Sequence, residues 1–191
     1  GVGVELSYGL VPLALVPTVV AVARRRWDVL ALAAVGGGAV VGAAGLAGFW
    51  WLDGLAATRV RYEAGIASER SFPYFALFGN PASFALAVGP ATAAGLAVAA
   101  SGRRHLRSAD RRLALLVVGA LAAVTVANLS GLSKAEVERI WLPFAPWVVL
   151  AGAWLPLRAA AGRPAWMAPA SVLLAAQVVV ALAIESLVLT P

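Results

Sequence analysis

Gly131-Leu132-Ser133-Lys134-Ala135-Glu136-Val137-Glu138-Arg139-Ile140-Trp141-Leu142-Pro143-Phe144-Ala145-Pro146-Trp147 is the stretch whose reading decides the fold. Its first half is densely charged, and its second half is apolar with two tryptophans and two prolines. Ser133 followed three residues later by Glu136 has the spacing of a capping box, in which the serine accepts from the third helical amide and the glutamate reaches back to the cap amide. The spacing predicts a helix starting at Ser133. Lys134 and Glu138, four apart, and Glu136 and Arg139, three apart, share faces of such a helix. A charged, capped start that runs straight into apolar sequence reads as a chain entering a membrane.

Composition carries the same message. The 191 residues are 62% hydrophobic and 13% charged, with a mean hydropathy of +0.88, whereas soluble domains carry roughly a quarter charged residues. Apolar runs of about 18 to 23 residues recur, each long enough to cross a hydrocarbon core about 30 Å thick. The fold class expected is all-α integral membrane, a single helical transmembrane domain. It is a bundle of about six spans near residues 6–23, 29–51, 81–100, 113–129, 140–157 and 167–189. The period-2 alternation of a membrane barrel is absent, and the abundant Ala, Gly and Leu favour close helix packing. Gly38 and Gly42, in GxxxG spacing, let another helix approach the second span. Asn80-Pro81 reads as a cap followed by proline at the first helical position of the third span.

Between the second and third spans, residues 52–79 read as a long polar loop ending in aromatics suited to the membrane interface, Phe72-Pro73-Tyr74-Phe75. The net charge of +6 comes mostly from arginines in short turns, a topology signal rather than a nucleic-acid footprint. The turns after spans one, three and five hold Arg24, Arg25, Arg26, Arg103, Arg104, Arg107, Arg111, Arg112, Arg158 and Arg163, with no lysine. The positive-inside rule makes these turns cytoplasmic and places 52–79 and 130–139 outside a plasma membrane. No cysteine is present, which excludes disulfides and thiolate metal sites, and one histidine leaves any metal chemistry to carboxylates. Haem, nucleotide and zinc motifs are absent from the sequence. The sequence begins Gly1-Val2-Gly3, and six spans would leave both its ends outside. It therefore reads as a portion of a larger polytopic protein, completed by preceding spans or a partner membrane subunit.

The outer face gathers the candidate site: Arg59, Arg61, Tyr62, Arg70, Lys134, Glu136, Glu138, Arg139 and Trp141. Arginine forks take phosphate bidentately, aromatic rings stack on sugars, and carboxylates beside cations hold a divalent ion or orient a hydroxyl. A membrane lipid phosphate carrying a sugar suits that set. Structural accounts stand beside it. Glu136 completes a cap, Arg139 snorkels, Trp141 and Trp147 sit in an interfacial belt, and Arg59 and Arg61 line a solvated face. Glu185, near the outer end of the sixth span, is an intramembrane candidate because an ionisable group there needs a partner. Gln177, deeper in the same span, bonds a neighbouring helix in this reading. The mid-span polar inventory, mainly Gln177 and Ser83, is thin for a transporter.

From Gly131 to Trp147, and again from Arg61 to Arg70 through Asn80 to Gly89-Pro90, the sequence resembles the C-terminal half of actinobacterial multi-span proteins similar to GT-C glycosyltransferases. The resemblance implies transfer of a sugar from a polyprenyl-phosphate donor to an acceptor on the outer face of the membrane. The catalytic acid of that family lies in the first external loop, to which no segment of this sequence matches. The alternative from another class is a non-catalytic assembly subunit or a lipid-carrier transporter.

Overall fold

The structure, a computed structural model, describes residues 7–101, 108–135, 137–155 and 169–187. Among the described residues the regular elements are all helical. In chain order they are α1 (Tyr8–Ala23), α2 (Trp27–Leu46), α3 (Trp51–Ala64) and α4 (Phe72–Ser101). There follow α5 (Ser108–Leu129), α6 (Val137–Ile140), α7 (Ala145–Trp154) and α8 (Pro169–Leu187). A 3-10 turn, Ile66–Glu69, joins α3 to α4. Among the described residues three stretches are long and apolar enough to cross a membrane: Trp27–Leu46 with 20 residues, Phe72–Ser101 with 30 and Arg111–Leu129 with 19. Shorter apolar helices are Tyr8–Ala23, Ala145–Trp154 and Pro169–Ala183.

Helices α1 and α5 pack antiparallel. Val16 meets Gly119, where a Cβ would come within 2.8 Å of the Val16 Cα, while Tyr8 and Pro12 share a cavity wall with Val126 and Ser130. Alanines 120, 123 and 127 of α5 keep that helix face low and join a core with Val16, Phe84, Trp141 and Phe144. Phe84 and Trp141 meet edge to face, centroids 5.6 Å apart at 73°, the arrangement the ring quadrupoles favour. Gly95 of α4 leaves room for the Ala151 carbonyl of α7. Ala170 of α8 packs with Ala91 of α4.

Helix α4 departs twice from α geometry. Residues Phe75–Gly79 form a π turn, in which the Asn80 amide donates to the Phe75 carbonyl five residues back. The shift frees the Ala76 carbonyl, and Asn128 Nδ2 donates to it at 2.8 Å. Pro81 then has no amide to give, so the ladder is interrupted at the same place. Further on, Gly89 at φ 78, ψ 170 breaks the helix before Pro90, in a backbone region open essentially to glycine alone. Thr92 Oγ1 donates to the Val88 carbonyl at 2.6 Å. The Gln177 side chain of α8 lies across Gly89, and its Oε1 is buried without a partner among the described residues.

Several expectations are corrected. Residues 52–79 are not a loop but α3, the 3-10 turn and the first turns of α4. Polarity there reflects a helix lying against the bundle end, with Arg59 and Glu63 paired at i,i+4 and 3.0 Å. The second span stops at Leu46 instead of 51, because Gly48 at φ 93 caps it. The third begins at Phe72, and Asn80 is a helical residue inside it rather than its cap. The expected fifth span, 140–157, is split among α6, a turn and α7, since Pro143 and Pro146 withhold amides. No capped helix starts at Ser133: Ala135 has φ 75 and the helix begins at Val137. Glu136 lies outside the described residues. Gly38 and Gly42 meet nothing within 4 Å, so among the described residues no helix uses their open face.

Candidate functional site

The end of the bundle where α5 finishes and α4 begins is tied together by one buried amide. Asn80 is 1% exposed. Its Nδ2 donates to Asn128 Oδ1 at 2.9 Å and to the Ser133 carbonyl at 2.7 Å. Its Oδ1 accepts from the Ala135 amide at 3.0 Å. These bonds hold the 131–135 segment in its left-handed bend at Ala135, a conformation that costs a non-glycine residue roughly 1–2 kcal/mol. Buried amides make this contribution only when their partners are present, as here.

A second set of bonds ties the same segment to α3 and the following turn. The Lys134 amide donates to Tyr62 Oη at 2.6 Å. Arg70 Nη1 donates to the Lys134 carbonyl at 2.6 Å, and the Arg70 guanidinium stands 6.0 Å from the centroid of the Phe75 ring. Lys134 Nζ donates to the Ala67 carbonyl at 3.2 Å. Both cations are therefore fastened to backbone oxygens.

Under these ties lies a cavity of about 530 Å³, with Tyr8, Trp51, Tyr62, Ser133 and Trp141 among its walls and Leu55, Val126 and Ile140 as apolar floor. Trp141 is 1% exposed and also lines a second groove of about 340 Å³ beside Phe84 and Thr125, so its ring partitions the two. Its indole N–H finds no acceptor among the described residues, a cost of about 1–3 kcal/mol for a buried donor. Tyr8 and Trp51, both in its wall, meet edge to face with ring centroids 5.0 Å apart.

Of the residues picked out from sequence, the fold brings Tyr62, Arg70, Lys134 and Trp141 together. Arg59 is paired with Glu63 on the exposed face of α3. Arg61 and Arg139 are exposed. The Glu138 and Glu185 side chains and all of Glu136 lie outside the described residues. Among the described residues no group of three or more His, Asp or Glu gathers. Sequence reasoning passed over Tyr8, Trp51 and Asn128 as site residues and read Asn80 only as a helix cap. The two asparagines carried a usable signal, since a polar amide inside an apolar span needs a partner there.

Comparison of the chain with protein-family models, with curated proteins and with solved structures finds no match.

Proposed function

We propose that this chain forms the extracytoplasmic, ligand-holding portion of a GT-C-like membrane glycosyltransferase, which moves a sugar from a polyprenyl-phosphate donor to an acceptor. The observation that carries the reading is the convergence of the two sequence blocks behind the resemblance. Lys134 and Tyr62, 72 positions apart, are hydrogen bonded, and both blocks wall the same cavity. Aromatic faces and hydroxyls suit a sugar, and an apolar floor suits an isoprenoid. Arg61 and Arg139, exposed beside it in sequence and fold, supply charge for a phosphate. In this reading six spans cross the plasma membrane with the arginine-rich turns inside, Glu138 orients a hydroxyl, and the catalytic acid comes from spans or a subunit beyond this chain.

The test is transfer from a labelled polyprenyl-phosphate sugar by the full-length protein in proteoliposomes. Leu55→Trp, which fills the cavity, and Arg139→Ala, which removes a cation, should each cut transfer at least tenfold. Unchanged transfer in both variants would remove this end of the bundle from the site.

A second reading, a non-catalytic lipid-carrier transporter, draws on one observation. Helix α4 is broken at Gly89 in its apolar middle, beside Thr92 and Gln177, the kind of discontinuity on which transporters build their sites. Donor binding and flipping without transfer, in the same proteoliposomes, would favour it.

A further inference from the structure

A groove of about 810 Å³ runs along α1 from Leu10, next to the Tyr62 cavity, to Arg24 at the far end of the helix, roughly 20 Å at the helical rise. Its walls include Val16, Val20, Leu116 and Trp147, and it closes on Arg24 and Arg26. Because α5 is antiparallel to α1, its first turn falls at the same end, where Arg111 and Arg112 are exposed. Two acids belong to this end. Asp28 is held by Arg26 at 2.8 Å, and Asp110 precedes Arg111, its side chain outside the described residues. The positive excess is therefore strong. The groove is longer than one leaflet of a core about 30 Å thick, apolar along its length and cationic at its end, which is the chemistry of an acyl chain joined to an anionic headgroup.

The backbone at the arginine turn points the same way. Arg26 N donates to the Ala21 carbonyl at 2.9 Å and Arg25 N to the Val22 carbonyl at 3.0 Å, the two bonds of a Schellman ending, with Arg25 at φ 54 in the left-handed position. Helix α2 ends in the same pattern, Phe49 N to the Ala44 carbonyl at 2.9 Å and Gly48 N to the Gly45 carbonyl at 3.0 Å. There the left-handed residue is Gly48, the usual choice. At α1 an arginine stands where glycine would relieve the backbone.

We infer that this groove is a binding site for an anionic phospholipid, its acyl chain lying along α1 and its phosphate at the Arg24-Arg25-Arg26 turn. The site is separate from the cavity of the proposed transferase, and neither reading depends on the other. The arginines stand at the C-terminal end of α1, whose carbonyl dipole favours cations; Arg26 is paired with Asp28, and the lipid phosphate would pair with the charge that Arg24 and Arg25 add beyond it.

The first measurement uses the unmodified full chain in a neutral detergent, titrated with phosphatidylglycerol, phosphatidylcholine or glycerol phosphate. Phosphatidylglycerol should raise the melting temperature and persist as a bound adduct in native mass spectrometry. The other two should do neither. The second uses Arg24→Gln/Arg25→Gly, which removes two charges while easing the backbone, and Val20→Trp, which fills the groove and keeps every charge. Each should retain at most a tenth of the phosphatidylglycerol bound by the parent protein. Equal effects of phosphatidylglycerol and phosphatidylcholine, an equal effect of glycerol phosphate, or full retention by both variants would each overturn the site and leave the arginines as a topology signal alone.

Discussion

Asn80 and Asn128 face each other across the α4–α5 interface with Nδ2 of one 2.9 Å from Oδ1 of the other, and each passes the chain of bonds onward, Asn128 to the Ala76 carbonyl freed by the π turn and Asn80 to the backbone of 133–135. Asn80→Ala strands the Ser133 carbonyl and the Ala135 amide together, and loses the support of a left-handed alanine. The expected loss is about 2–4 kcal/mol, from stranded buried groups at about 1–3 kcal/mol each. Thermal unfolding of the purified chain in detergent checks it. A loss no larger than that of an exposed substitution such as Ser71→Ala would deny the hub its structural weight.

Tyr62→Phe removes the acceptor of the Lys134 amide while keeping the ring in the cavity wall. Stability should fall by only about 1 kcal/mol, the net value of one hydrogen bond. Amide hydrogen exchange at Lys134 and Ala135 should accelerate, with exchange in α5 unchanged. Exchange at Lys134 equal to the parent's would show that the hydroxyl is not what holds this segment.

At Gly89 two penalties combine. Alanine there would keep a backbone at φ 78, ψ 170 that side chains avoid, and its Cβ would collide with Gln177. Gly89→Ala should cost about 1–3 kcal/mol for the backbone alone, and Gln177→Ala should recover only the collision. A double-mutant cycle on melting temperature reads the split. Full rescue by Gln177→Ala would mean the backbone break carries no strain of its own.

The glycine face of α2 makes the opposite forecast. Gly38→Leu and Gly42→Leu meet open space among the described residues, and each replaces a poor helix former by a good one. The isolated chain should be unchanged or slightly more stable. If further spans of the full-length protein or a partner subunit close on this face through the small residues, the same variants will lose co-purification of that partner. Retained co-purification would place the partner's contact elsewhere.

Much of the architecture was legible because it rests on solvent transfer. The apolar runs at Trp27–Leu46 and Arg111–Leu129 emerge as helices long enough to span a membrane, and no long-range contact is needed to see why. The errors have separate causes. Residues 52–79 looked like a loop because they are polar, yet polarity marks an exposed helix as readily as a loop, and α3 has the i,i+4 Arg59–Glu63 pair of a helix. Ser133 and Glu136 have capping-box spacing, but the Asn80 side chain competes for that segment's backbone and turns Ala135 left-handed instead. A bond between residues 55 positions apart leaves no mark on local spacing.

The candidate site divides along the same line. Tyr62, Arg70, Lys134 and Trp141 were nameable from residue type, whereas their assignment to wall, tie or partition required the fold. By residue type Arg70 and Lys134 suit a phosphate, and in the fold each is bonded to a backbone carbonyl.

What the sequence alone determined is a set of apolar runs long enough to cross a membrane and their helical form, since 62% of the residues are hydrophobic and an apolar run of that length satisfies its backbone amides most economically as a helix. What only the tertiary structure decided is where those helices break and what the breaks hold: the π turn before Asn80, the Gly89 gap under Gln177, and the left-handed Arg25 and Ala135. All but the exposed Arg25, whose turn is closed by local backbone bonds, depend on a group that reaches the break from elsewhere in the chain, and hydrogen bonds between distant residues are a property of the folded arrangement, not of neighbours in sequence.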